Sequence, residues 1–454
     1  MDDSVKSSSR VVTLLSVMMF LQFFTWGSWF ATLSAALVAN GLGNSVASAY
    51  AMAPIAAIIA PLFLGLIADR LFASERVMGV LMLLGGIALC FLPGAAAKGP
   101  ESGDLLVRLI LFHLLCYMPT LGLGNTIAFT HIKSQEDFPK VRVWGTIGWI
   151  AAGLLVGALG WSSKFNIFWL GAGSSILLGV FCFILPHTPP PLKGQPADFR
   201  TVFMVDAFKL LADPNFCIFA ICSTLICIPL AYYYGMTANY LSQVGFSEPG
   251  ATMTIGQMSE IVFMLLIPFF FRKLGLKMMI LVGMASWVIR YVLFAYGAPS
   301  QVTWMILLAV ALHGVCYDFF FVTGFMYTDQ KAPQAIRGQA QGLLVFLTQG
   351  LGMFFGYRSM GSWHVGELGK QVDSQAYVDS LIAARGDTQV SFFETFGKMF
   401  SRALPDGINQ ELLSSTMAAW KNFWLFPAVM AAVILVVFAL TFWDKAKDTS
   451  TASH

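Results

Sequence analysis

The chain has 454 residues, of which 57% are hydrophobic and 11% charged, and its net charge is +3. Soluble domains carry about 25% charged residues, so this composition excludes an ordinary soluble fold and points to an all-α integral membrane protein. No Lys/Arg-rich run suggests a nucleic-acid partner.

After the polar start MDDSVKSSSR comes an apolar run from Val11 to Val38. It is too long for the apolar core of a signal peptide and reads as an uncleaved first span. Further stretches of about 20 apolar residues follow at 48–67, 77–97, 104–129, 142–161, 165–186, 215–240, 251–271, 277–297, 303–327, 338–357 and 422–443. That makes twelve. The polar, proline-rich HTPPPLKGQPADFR separates the sixth from the seventh. The expected organisation is a six-helix bundle over 1–186, a linker over 187–214 and a second bundle over 215–454, with an insertion at 358–421.

Lysine and arginine fall on one side of this arrangement, among them Arg70, Arg76, Lys133, Lys140, Lys193, Arg272, Lys273, Lys331 and Arg337. The short loops on the other side hold Lys98 and Lys164. The positive-inside rule then places both termini in the cytoplasm. Within the insertion, SQAYVDSLIAAR and INQELLSSTMAAW have helical spacing and are expected to form a small cap or surface helices. All seven cysteines fall inside expected spans, where they read as small apolar packing residues rather than metal ligands or disulfide partners.

Two carboxylates interrupt the apolar spans: Glu260 in the eighth and Asp318 in the tenth. A charge at bilayer depth costs about 2.5–3.5 kcal/mol on insertion scales, so such groups usually face a cavity, a partner or a proton path. The alternative for Glu260 is a structural pair with Arg290 in the ninth span. Gln257 shares a helix face with Glu260, His313 and Tyr317 share one on the tenth span, and Arg142, Thr146 and Trp149 follow one another along the fifth. Arg142 also reads as a membrane-edge anchor. Together these residues offer charge, hydrogen-bonding groups and rings, the inventory that binds a hydroxylated, ring-bearing solute. Gly65, Asp69 and Arg70, between the second and third spans, read as a gating loop. No nucleophile elbow, phosphate-binding loop or metalloprotease motif appears, so an enzyme is not expected.

His113-Leu-Leu-Cys116-Tyr117 in the fourth span matches His313-Gly-Val-Cys316-Tyr317 in the tenth. These are equivalent places in two halves, as in a transporter built from parallel repeats. Met118 follows the first motif and Asp318 the second, so the acid is an asymmetry on a shared scaffold.

GLIADR resembles the loop motif of the major facilitator superfamily. FLQFFTWGSWFATL, CYMPTLGLGNTIAF, FPKVRVWGTIGWI, IGQMSEIVFMLLIPFF, SWVIRYVLFAYGAP and CYDFFFVTG resemble the bacterial nucleoside:proton symporters. The resemblance implies a twelve-span carrier of two pseudo-symmetric six-helix bundles. It would be a monomer in the bacterial inner membrane that imports nucleosides by alternating access, driven by the proton gradient without a cofactor. It carries solute-binding roles to Arg142, Thr146, Gln257, Glu260 and Asp318, the last two also as proton-coupling acids. At Trp149, His313 and Tyr317 the family more usually has Phe, Tyr and Phe. In the seventh span, Ala231 and Tyr234 stand where the family places a Gln and an Asn. That change leaves a proton-linked carrier of another polar solute, such as a sugar, as an alternative. A membrane solute sensor that does not transport is the other.

Overall fold

The computed structural model describes residues 9–63, 69–132, 138–190, 200, 203–361, 374–385 and 391–443. Among these there is no β-strand. Ten helices are long and apolar enough to cross a membrane. The longest, Pro249–Gly297, holds two of the expected spans, because the chain turns at Gly275 with φ 69° and ψ 174°. Only glycine adopts that backbone conformation readily. The eleventh span is a run of three segments, Arg337–Val345, a wide π turn Phe346–Gly352 and Met353–Ser359, so no single one is long enough to cross. With these two cases resolved, the helices account for twelve crossings.

The remaining spans are Ser9–Gly27, Val46–Phe63, Ser74–Ala96, Gly103–His131, Phe138–Ala158, Ile167–Phe181, Pro214–Gln243, Thr303–Lys331 and Gln410–Thr441. Two boundaries differ from the sequence reading. The first apolar run breaks after Gly27 and resumes as a short helix, Leu33–Ala39. The segment INQELLSSTMAAW is not a surface element. Its Asn409 side chain accepts from the Glu411 and Leu412 amides, and the helix so capped runs unbroken from Gln410 into the twelfth span. SQAYVDSLIAAR is a separate helix, Ser374–Arg385, as expected.

Both halves use one packing scheme. The first span packs on the fifth and sixth, and the seventh packs on the eleventh and twelfth. The second packs on the fourth; correspondingly, Gly314 of the tenth sits on Ser259 and Glu260 of the eighth. The third packs on the fourth and sixth. In the other half, Gly283 of the ninth lies against Phe320 of the tenth, and Tyr291 stacks on Trp424 of the twelfth. The repeated motif fits this symmetry. His113 Nδ1 meets the Gly85 carbonyl of the third span at 3.0 Å, and His313 Nδ1 meets Arg290 of the ninth at 3.3 Å.

The halves touch where the fifth span meets the eighth and the second meets the eleventh. They approach closely at the end away from the termini, where a Cβ on Gly153 would lie 2.6 Å from Thr254 and 3.1 Å from the Gly250 carbonyl oxygen. The insertion covers this end. Its helix Phe392–Lys398 packs on the fifth span, and the Thr252 hydroxyl of the eighth donates to the Met399 carbonyl at 3.1 Å.

Candidate functional site

Midway along the spans, between the halves, lies a cavity of about 290 Å³. That is near the lower end of the roughly 300–1,000 Å³ typical of small-molecule sites. Arg142, Thr146 and Trp149 reach it from the fifth span, and Gln257 and Glu260 from the eighth. Tyr234 of the seventh span, with His313 and Tyr317 of the tenth, completes the expected set. Thus eight of the nine residues singled out from sequence meet in one space.

Arg142 is not a membrane-edge anchor alone. Its guanidinium carbon lies 4.1 Å from the centre of the Phe23 ring, and its charge acts on Glu260. Nor is Glu260 paired with Arg290. That arginine is fully buried inside the C-terminal half, donates to the Ala309 carbonyl at 3.0 Å, and lies 3.4 Å from the centre of the Tyr233 ring. Rings enclose the solute space. Trp26 meets Trp149 edge-on at 5.4 Å, Tyr234 meets His313 edge-on at 5.9 Å, and His313 lies 5.5 Å from Tyr317.

Asp318 is the exception. It is fully buried and does not line the cavity. Among the described residues neither carboxylate oxygen has a hydrogen-bond partner. It begins a π turn, Asp318–Val322, directly after Tyr317. Such wide turns within helices are frequent at functional sites. Of the two acids, Glu260 faces the cavity and Asp318 is recessed behind it.

The proposed gate is only partly visible. Gly65 lies outside the described residues, and Asp69 and Arg70 open a short helical turn, Asp69–Leu71. Among the described residues no cluster of metal-ligating side chains occurs, and the cysteines are free.

Sequence reasoning missed the second- and fourth-span lining, Ala53, Pro54, Ala57, Met118 and Leu121, and two larger walls of the cavity. Phe23 and Trp26 come from the first span and Phe30 from the turn that follows it, and Val345, Gln349, Met353 and Tyr357 from the eleventh. Neither wall carries a charge, so neither stands out from the membrane background. The usable signal was the aromatic spacing of the first span and the lone Gln349 in an apolar run.

Twelve helical spans among the described residues, with a cavity of rings and a few polar groups midway between two similarly packed halves, define a membrane transporter of the major facilitator type rather than an enzyme. A family model described as "Nucleoside H+ symporter" matches residues 10–379. The chain belongs to that family. The Escherichia coli (strain K12) protein YegT is 39% identical over 447 residues, covering 96% of this chain and 95% of YegT. The nucleoside permease NupG of the same strain is 32% identical over 360 residues, covering 75% of this chain and 85% of NupG. The crystal structure of the nucleoside transporter NupG superposes with a TM-score of 0.75 at 28% identity, covering 96% of this chain and all of that one.

Proposed function

We propose that this protein imports nucleosides together with protons by alternating access of the central cavity. The observation that carries this reading is the convergence of Arg142, Glu260, Gln257 and Thr146 with a ring of aromatic side chains in one space between the halves. Rings stack on a nucleobase, and convergent polar groups fix its orientation. Trp149, Tyr317, Tyr234 and His313 are assigned to stacking, and Arg142, Thr146, Gln257 and Glu260 to polar contacts. Asp318, recessed and without a hydrogen-bond partner among the described residues, is assigned to the proton rather than the solute.

In this scheme the bundles of residues 1–186 and 215–454 rock about the cavity, joined by the linker 187–214, and Asp69 and Arg70 belong to the gate. The protein is a monomer of the bacterial inner membrane and uses the proton gradient with no cofactor. The distribution of Lys and Arg supports cytoplasmic termini, and the insertion then lies on the outer side.

Uptake of labelled nucleoside into membrane vesicles with an imposed pH gradient tests the reading. Accumulation that collapses with a protonophore is expected. Accumulation indifferent to the protonophore overturns the coupling, and absence of nucleoside uptake overturns the substrate.

A further inference from the structure

The eleventh span faces the cavity with Val345, Gln349, Met353 and Tyr357. Steps of four residues overshoot an α-helical turn of about 3.6. The wide turn Phe346–Gly352 takes up the excess, so all four residues stay on one line down the cavity wall. The adjoining face of this span is pressed into the seventh. A Cβ on Gly356 would meet Ala231, and one on Gly352 would meet the Thr224 carbonyl oxygen. The line is therefore carried by a helix packed closely against its neighbour.

Within that line Tyr357 is 1% exposed, and its hydroxyl has no hydrogen-bond partner among the described residues. Its stacking neighbour Tyr50, 5.4 Å away, shows the usual arrangement. The Tyr50 hydroxyl donates to the Phe30 carbonyl at 2.7 Å and accepts from the Ser34 amide at 3.3 Å. Buried hydroxyls are nearly always paired, since leaving one unpaired is costly. Of two aligned tyrosines, one is paired within the protein and the other keeps an unused donor and acceptor just beneath the cavity wall that its ring forms, covered in this conformation and open to a solute only when that wall shifts. Eight residues earlier, Gln349 brings an uncharged amide to the same wall. The charged pair Arg142 and Glu260 enters from the fifth and eighth spans, whereas this wall belongs to the contact of the second with the eleventh.

We propose that Gln349 and Tyr357 are specificity-determining residues that recognise the hydroxyl groups of the solute's sugar. This rests on the nucleoside reading above. A phenol and a carboxamide both donate and accept without charge, which suits hydroxyls that also do both. The base then lies among the rings of the fifth, seventh and tenth spans, with the sugar toward the eleventh.

The test compares uptake of a ribonucleoside with its 2′-deoxy, 3′-deoxy and 5′-deoxy analogues in vesicles containing the full chain, wild type, Tyr357→Phe or Gln349→Leu. Tyr357→Phe keeps the ring and its stacking on Tyr50. The expected result is a KM for the ribonucleoside raised about three- to tenfold, the effect of one lost hydrogen bond. For at least one deoxy analogue the KM stays as in wild type, so that variant no longer discriminates at one hydroxyl. If both variants shift the KM of the ribonucleoside and every analogue in parallel, or shift none, the proposal is overturned while the nucleoside reading stands. If the wild type takes up no nucleoside, both fall.

Discussion

The Ser162 hydroxyl, in the loop after the fifth span, donates to Oε2 of Glu248 at 3.3 Å, joining the two halves at the end covered by the insertion. Glu248 is 7% exposed and directly precedes the eighth span. Burial pushes its carboxyl up from 4.5 to about 7, against the opposing pull of the Ser162 hydrogen bond and the charges of Arg385, Lys398 and Lys164. Once the halves part, Glu248 meets water and returns toward its ordinary value.

The closed arrangement therefore binds more protons than the open one between about pH 4.5 and 7. Its advantage is complete below that window and disappears as pH rises through it. Spin labels at Lys98→Cys and Ser300→Cys, in a chain whose native cysteines are replaced, report the separation of the halves. A short distance is expected to dominate at pH 5 and a longer one to grow at pH 8. Glu248→Gln should hold the short distance at both. A pH-independent distance in the otherwise wild-type chain refutes the assignment.

Asp318 has no hydrogen-bond partner for either oxygen among the described residues, so an amide of the same shape breaks no described contact. Asp318→Asn is expected to fold with an unchanged or higher thermal midpoint, because an unpaired buried carboxylate is lost. The same variant should lose gradient-driven accumulation while still binding nucleoside in a ligand-stabilisation assay. Full accumulation by Asp318→Asn would remove this acid from the proton path.

Arg142 and lysine are not equivalent at this site. The guanidinium sits over the Phe23 ring at the cavity wall and carries a planar fork of donors, whereas an ammonium is a point charge on a flexible stem. Loss of the ring contact alone is worth about 0.5–1 kcal/mol at exposed sites and more when desolvated. Arg142→Lys is expected to raise the KM for nucleoside uptake about tenfold once a directed hydrogen bond is also lost. Equal KM values would show that only the charge at this position matters.

The polar half of the site was legible because charge is conspicuous in an apolar chain. Glu260 borders the apolar run IVFMLLIPFFF, Arg142 opens the fifth span, and helical spacing then links Gln257 to Glu260 and His313 to Tyr317. What sequence does not encode locally is which apolar face turns inward. Phe23, Trp26 and Met353 look the same whether they face lipid or cavity, and only the packing of the first span on the fifth, or of the eleventh on the seventh, decides it. The start of the twelfth span was misjudged for a related reason. The amphipathic pattern after Asn409 is that of a surface helix, but nothing at Trp420–Asn422 breaks it, and the helix continues into the membrane. Asp318 stood out by its charge, but its recessed place depends on the wide turn it begins.

Gly148 and Gly153 lie five residues apart on the fifth span and separate folding from transport. A Cβ on Gly148 would collide with the Phe20 carbonyl group of the first span, a contact within one half. Backbone cannot yield as a side chain can, and overpacking of this kind typically costs about 1–3 kcal/mol. Gly148→Ala is therefore expected to lower the thermal midpoint by several degrees and to reduce the amount of protein in the membrane. A Cβ on Gly153 instead meets Thr254 and the Gly250 carbonyl across the junction of the halves. That contact exists only while this end is closed. Gly153→Ala should leave the thermal midpoint of a detergent-solubilised, open population near wild type, yet slow uptake by opposing closure. In the spin-label pair at positions 98 and 300, Gly153→Ala should raise the longer distance at every pH, and Gly148→Ala should not. The reverse pattern would mean that the fifth span does not form the closing face.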